Sequence, residues 1–221
     1  MIDLYTWSTP NGRKVSIMLE ECGLEYEVHP INIMKDEQFQ PHFLKLSPNN
    51  RIPAILDRET GQTLFESGAI LLYLAHKTGQ FMPQPETGAA RSDGGSAYWS
   101  AMQWLMWQMG GLGPMLGQAN HFLQFNPGKS DYAEQRYGGE ARRLYGVLDK
   151  QLADQQWVAG DHYTVADMAC WPWTARHDWQ RIDLNDYPNV KRWYLEIAAR
   201  PAVQRGYNVP ASENGTVPMP A

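Results

Sequence analysis

Apolar positions alternate with polar ones at the start of the chain and then switch to helical spacing. Ile2 and Leu4 mark a strand over 2–7, and Val15, Met18, Leu19 and Cys22 mark a helix over 11–22 that Gly23 ends. Val28 and Ile31 mark a second strand over 26–33, with Pro30 placing it at an edge or a bulge. A weaker helical pattern covers 38–46. Two short strands, 52–57 and 63–65, flank the turn residues Asp57 to Gln62. Ser67 is placed to cap a helix carrying Ile70, Leu71, Tyr73 and Leu74, which ends at Gly79. The order is βαβ, then α, then ββα.

Beyond residue 80 the strong signals are all helical. Residues 81–88 hold two prolines and a glycine without periodicity and read as a linker. Trp99, Met102, Met106 and Met109 recur at helical spacing, a stripe expected to form core and dimer surface, and Gly110, Gly111, Gly113 and Pro114 are expected to break that helix. Tyr137, Ala141, Leu144, Leu148 and Leu152 form one stripe of a helix over 132–151. Thr164 and Asp167 have capping-box spacing, and a last helix over 190–199 is expected to stop before Pro201. The pattern gives domains at 1–80 and 89–206 and a proline-rich tail at 207–221, loose or wrapping. There are no internal repeats.

With 221 residues the chain can bury a substantial core. Its 19 Lys+Arg against 24 Asp+Glu give a formal charge of -5, which argues against broad binding of nucleic acid or anionic membrane and leaves room for a local basic site for a small anion. No stretch of about 18 apolar residues is present, so no membrane span is expected, and no secretion signal is expected either. Cys22 and Cys170 stand far apart in helical contexts, which suits free thiols in the cytoplasm better than a disulfide framework. The six histidines show no ligand spacing, and no metal is expected.

The stretch from Tyr5 to Arg13 turns a strand through a proline into a helix. Thiol-disulfide proteins of the thioredoxin type keep Cys-x-x-Cys at such a turn; here stand Ser8, Thr9, Pro10 and Asn11. Cys22 lies at the negative end of its helix beside Glu20 and Glu21, which raises a thiol pKa. Cys170 lies among Met168, Trp171 and Trp173, a setting of buried structural cysteines. Neither suits a nucleophile, so any reactive sulfur must come with the substrate.

The βαβαββα start, the proline-rich linker and the helical remainder resemble the cytosolic glutathione transferases over roughly residues 1 to 205. The resemblance is carried by Ser8 to Asn11, by Ser47-Pro-Asn-Asn-Arg-Ile-Pro-Ala-Ile55, by Phe65-Glu-Ser-Gly-Ala-Ile70 and by Ala159 to Asp167. The segments Thr9 to Val15 and Ser47 to Pro53 look most like the bacterial Nu class, which reduces disulfides with glutathione. The fold implied is an α/β thioredoxin-like N-terminal domain followed by an all-α helical domain that serves the second substrate and the dimer.

Glutathione, as co-substrate, is then the expected ligand. The resemblance implies a cis Ile52-Pro53 bond with the Ile52 backbone facing the tripeptide; a plain turn is the alternative. Glu66 can pair with an ammonium, and Ser67, together with the first N–H groups of its helix, can hold a carboxylate; Ser67 as a simple cap is compatible with that. By resemblance Gln38 binds the tripeptide backbone or its glycyl end, Arg51 flanks the cleft, and Arg136 reaches the partner subunit's site; each is also an ordinary surface residue type. A glutathione thiol near Ser8 at the start of the first helix meets the positive dipole end, with Thr9 and Asn11 as donors to the thiolate. Neither can act as a base at neutral pH, so activation is by stabilising charge; Asn11 as N-cap and Thr9 as turn residue are the structural alternatives. Tyr5 lies inside the strand, before the expected thiol position.

The function implied is a cytoplasmic, homodimeric glutathione transferase with disulfide reductase activity, acting on reduced and oxidised glutathione and a small disulfide or electrophile. A conventional conjugating transferase and a non-catalytic interaction module of the same fold are the alternatives.

Overall fold

The computed structural model describes residues 1–85, 97–211 and 215–220. Parts of the expected linker (86–88), of the expected start of the helical domain (89–96) and of the tail (212–214 and 221) lie outside the described residues. The chain divides into two compact units, Met1–Gln80 with Ala198–Val217, and Phe81–Ile197 with Pro218–Ala221.

The first unit opens with β1 (Ile2–Thr6), α1 (Pro10–Glu21), β2 (Tyr26–Pro30), α2 (Pro41–Leu44), β3 (Ala54–Asp57), β4 (Gln62–Phe65) and α3 (Ser67–Thr78). The sheet order is β2-β1-β3-β4, with β1 and β2 parallel and the other pairs antiparallel, a thioredoxin-like arrangement. Ile2, Leu4, Val15, Ile55, Ile70 and Leu74 are buried, the apolar phases of the strands and helices that the periodicity marks. The weak helix over 38–46 resolves into a 3-10 turn at Glu37–Phe39 and the short α2, because Pro41 cannot donate to a preceding turn but fits the first turn of a new one. Ser67 is not the N-cap of α3. Glu66 holds that place, without a side-chain capping bond, and Ser67 is the first helical residue.

The second unit contains α4 (Ala97–Trp107), α5 (Gly113–Asn120), α6 (Asp131–Ala153), α7 (Val165–Thr174) and α8 (Pro188–Ala198), whose last residue belongs to the first unit. The expected break after Met109 does not occur. A π-helical turn over Gln108–Leu112 carries the chain from α4 into α5, and Leu112 and Gly113 keep right-handed helical angles. Gly113 stays small because a Cβ there would lie 2.4 Å from the Gln108 amide nitrogen. Pro114 sits in the first turn of α5, where its missing N–H costs nothing. The Met/Trp stripe is not the core face of α4 either. Ala101 and Leu105 are buried there, while Trp99 and Met106 are exposed.

The chain then returns to the first unit through α9 (Pro201–Tyr207). Pro201 does not close the helical part of the chain; it opens this further helix at its first position. α9 packs on α1: Ser16 Oγ donates to the Gly206 carbonyl at 2.6 Å, and Arg13 Nε donates to the Tyr207 carbonyl at 3.0 Å. A Cβ on Gly206 would lie 2.6 Å from Ile17 Cα, so this contact requires glycine. The helical periodicity alone cannot assign α9 to the first unit. Part of the tail is packed as well: Val217 is buried, and Tyr194 Oη donates to the Pro218 carbonyl at 2.5 Å.

Candidate active site

Strand register decides which of the expected residues meet. Tyr5 of β1 pairs with Ala54 of β3, and Ala54 pairs with Phe65 of β4. The segments just beyond these pairs, Thr6 to Thr9, Pro53 and Ile52, and Glu66 and Ser67, therefore emerge at one end of the sheet. Ile31 N–H donates to the Thr6 carbonyl at 2.9 Å and brings the start of the loop that carries Gln38 to the same end.

Thr9 is the N-cap of α1, and its Oγ1 accepts from Gly12 N–H at 3.2 Å. Thr9 N–H donates to the Trp7 carbonyl at 2.7 Å, and Pro10 has no N–H. The backbone donors of this turn are thus more committed than helix ends in general. A hydroxyl that accepts retains its own proton to donate, so Thr9 keeps a donor at this turn. Asn11 stands inside the helix, so it is not the cap. Ser8 and Asn11 are both half-buried.

The Ile52–Pro53 peptide is cis. The Ile52 side chain packs against a cluster of Ile31, Phe43 and Ala54, and its N–H and C=O have no backbone partner among the described residues. Ser47, fully buried, fixes the preceding loop by donating to the Arg51 carbonyl at 2.8 Å; Arg51 itself is exposed. Gln38 Nε2 lies 3.4 Å from Asp36, and Gln38 Oε1 is a buried acceptor without a partner among the described residues.

At the head of α3, Glu66 has φ 71 and ψ 111. That backbone conformation is costly for a non-glycine residue and concentrates at ligand-holding sites. Glu66 is exposed and Ser67 is buried. Lys14, inside the segment Thr9 to Val15, reaches Ser67: its Nζ donates to Ser67 Oγ at 3.3 Å.

Both cysteines lie elsewhere. Burial holds the Cys22 thiol above its ordinary pKa, against a smaller lowering by the Thr78 hydrogen bond and with a still smaller rise from Glu21. Cys170 is fully buried. Tyr5 stacks on His29 at 4.7 Å, and burial raises its phenol pKa. Asp3, Glu27 and His29 are close enough for an ion, but the Arg58 guanidinium pairs with both carboxylates. Arg136 stands exposed on α6 in the second unit, four residues before Glu140, whose pKa is lowered chiefly by the Arg143 hydrogen bond and only weakly by Arg136.

The family models for the glutathione S-transferase N-terminal and C-terminal domains match residues 1–76 and 112–201. The chain belongs to the glutathione S-transferase family. It is 48% identical over 207 residues to the disulfide-bond oxidoreductase YfcG of Escherichia coli strain K12, covering 91% of this chain and 92% of that one. Among solved structures, a glutathione transferase family member from Pseudomonas fluorescens pf-5 with two glutathione bound has a TM-score of 0.84 and 45% identity, covering 93% of this chain and 92% of that one. A glutathione transferase from Pseudomonas putida with one glutathione disulfide bound per subunit has a TM-score of 0.82 and 43% identity, covering 95% and 91%. As in the transferase fold generally, function must be argued from the site itself.

Proposed function

We propose that this glutathione S-transferase is a glutathione-dependent disulfide-bond reductase that uses a borrowed thiolate. The observation that carries this reading is the first turn of α1. It offers Thr9 and Asn11 where a thioredoxin-type protein has cysteines, while burial holds the Cys22 thiol above its ordinary pKa and Cys170 is fully buried. The disulfide-bond oxidoreductase named among the relatives supports the activity, and the glutathione held by the solved structures supports the ligand.

Glutathione lies with its cysteinyl backbone along Ile52, where an extended peptide can pair with open main-chain groups, and its amide N–H reaches Gln38 Oε1. Its amino-acid end meets Glu66 and Ser67, and Arg51 flanks the glycyl side. The thiol loses its proton to water, and the thiolate is held near Ser8 by the Thr9 hydroxyl and Asn11 at the positive end of α1. The thiolate attacks one sulfur of the substrate disulfide. A glutathione–substrate disulfide forms, the old S–S bond breaks, and the departing thiolate takes up a proton. A second glutathione thiolate attacks the glutathione sulfur, releasing the second substrate thiol and oxidised glutathione. Two glutathiones are oxidised for each disulfide reduced.

We further propose a cytoplasmic homodimer in which Arg136 serves the partner subunit's site. The exposed Trp99 and Met106 on α4 support an interface. Free thiols and a demand for reduced glutathione support a reducing compartment. Among the described residues no helix is long and apolar enough to cross a membrane.

The test is turnover of a small model disulfide with reduced glutathione, followed by release of oxidised glutathione. A folded protein without turnover overturns the reading. Faster reaction with an aryl halide or an epoxide than with any disulfide would make conjugation the function instead.

A further inference from the structure

Asn11 and Gly12 stand second and third in α1, behind the cap Thr9. Asn-Gly is the pair of residues most prone to deamidate, because a glycine nitrogen approaches the neighbouring amide carbon unhindered by a side chain. A helix ordinarily resists this reaction by holding each N–H in a bond to the carbonyl four residues back. The first N–H groups of a helix have no such partner. Here the first helical bond is made by Arg13 N–H, to the Thr9 carbonyl at 3.0 Å. Gly12 N–H is held instead by the Thr9 hydroxyl, at 3.2 Å. No larger residue can replace Gly12 and slow the reaction, since a Cβ there would lie 2.2 Å from the Trp7 carbonyl oxygen and 2.5 Å from Thr6 Oγ1.

We propose that Asn11 is a deamidation site and that the Thr9 cap keeps it closed. In the reaction the Gly12 amide gives its proton to hydroxide, and its nitrogen attacks Asn11 Cγ. The bond from Cγ to the side-chain nitrogen breaks, ammonia leaves with a proton from water, and a five-membered imide remains. Water then opens the imide to aspartate or isoaspartate, so asparagine and water become an acid and ammonia. While Gly12 N–H is bound to Thr9 Oγ1 the first step is blocked, and local opening of this turn releases it. The product sets a carboxylate in a first turn that carries no acidic residue. On the glutathione reading above, that is a negative charge beside the thiolate, and the modified chain is inactive.

The experiment incubates the wild type, Thr9→Ala and Thr9→Ser at mildly alkaline pH and follows deamidation by peptide mass mapping. Asn214-Gly215, the other Asn-Gly pair of the chain, serves as an internal clock. Thr9→Ala is expected to deamidate at Asn11 about fivefold faster than the wild type, the equivalent of a lost cap. Thr9→Ser, which keeps a capping hydroxyl, stays within about twofold. An unchanged rate at Asn11 in Thr9→Ala overturns the proposal. So does an equal acceleration at Asn214, the mark of general loosening. Should Thr9→Ala fail to fold, amide hydrogen exchange of the wild type decides. A Gly12 N–H that exchanges more slowly than in a free peptide of residues 5–13 supports the closed cap, and exchange at the peptide's rate overturns it. These readouts use no glutathione, so their failure leaves the glutathione reading standing, and a protein without disulfide turnover leaves this proposal standing.

Discussion

Helices α7 and α1 both start at a threonine, and their first turns are completed in different ways. At α7, Thr164 Oγ1 accepts from Ala166 N–H at 3.2 Å, and three residues on stands Asp167. Its carboxylate accepts from Thr164 N–H, Val158 N–H and Trp193 Nε1 at 2.8 to 2.9 Å. At α1, Thr9 also caps through its hydroxyl, accepting from the N–H three residues on rather than two, and that third residue is Gly12. A Cβ at Gly12 would lie 2.2 Å from the Trp7 carbonyl oxygen, so no acid can occupy that place. The helix that holds the fold carries its own anion. The first turn of α1 carries no acidic residue.

The largest effect expected from breaking this contrast is at α7. Asp167→Ala orphans three buried donors at once and is expected to cost about 3 kcal/mol or more of stability, read as a shift in the urea midpoint. A loss below about 1 kcal/mol, the worth of an ordinary cap, would mean that the carboxylate is not what completes that turn. At α1 the balance reverses. Asn11→Ala is expected to lower disulfide turnover roughly tenfold to hundredfold, the equivalent of one charge-assisted hydrogen bond to sulfur, with stability changed by less than about 1 kcal/mol. Equal losses in stability and turnover would make Asn11 a folding residue.

These turns also mark how far the sequence could be read. The Thr164–Asp167 box is visible because both halves of a reciprocal cap have a fixed spacing. Thr9 is harder, since a hydroxyl that caps and one that also donates to a ligand look the same in sequence; the structure assigns the capping half. The domain pattern is legible from periodicity, whereas Gly110 to Pro114 mislead. Glycine and proline break an isolated helix, yet a π-helical turn with a tight contact to Gln108 absorbs them here. Pro201 misleads for a related reason, as a first-turn proline starts a helix as readily as one ends it. Lys14 lies inside the Thr9-to-Val15 segment, but its contact with Ser67, fifty-three residues away, is not legible in sequence. Strand register, not any local motif, brings Pro53 and Glu66 to the end of β1.

Acid titration sharpens the contrast through two buried aspartates. Asp57 is buried, but the Tyr73 hydroxyl, Lys77 and the Glu59 N–H together hold its carboxyl down to about 2. Its folded pKa lies below the unfolded value, so its contribution is complete above about pH 4 and is lost as pH falls toward 2, about 2 kcal/mol in all. Asp167 runs the other way. Burial outweighs its hydrogen bonds and pushes it up to about 6, so the folded state holds a proton that the unfolded state has released. Stability therefore falls as pH rises from about 4 to 6 and is level above that. Denaturation curves across pH 2 to 7 are expected to lose the lower slope in Asp57→Asn and the upper slope in Asp167→Asn. If each variant keeps its slope, the titrating groups are others.

The smallest expected effect decides where the sulfur is. Cys22→Ala and Cys170→Ala each remove a thiol, one half-buried near the C-terminal end of α1 and one in the core. With glutathione as the only nucleophile, both variants should keep turnover within about twofold of the wild type, well inside the change a lost charge-assisted bond produces. Cys170→Ala should also lower stability slightly through the cavity it leaves, which serves as a check that the substitution reached the core. A variant that folds and loses turnover as Asn11→Ala does would return the reactive sulfur to the protein. The first turn of α1 would then be a helix cap like that of α7, finished with a weaker set of donors.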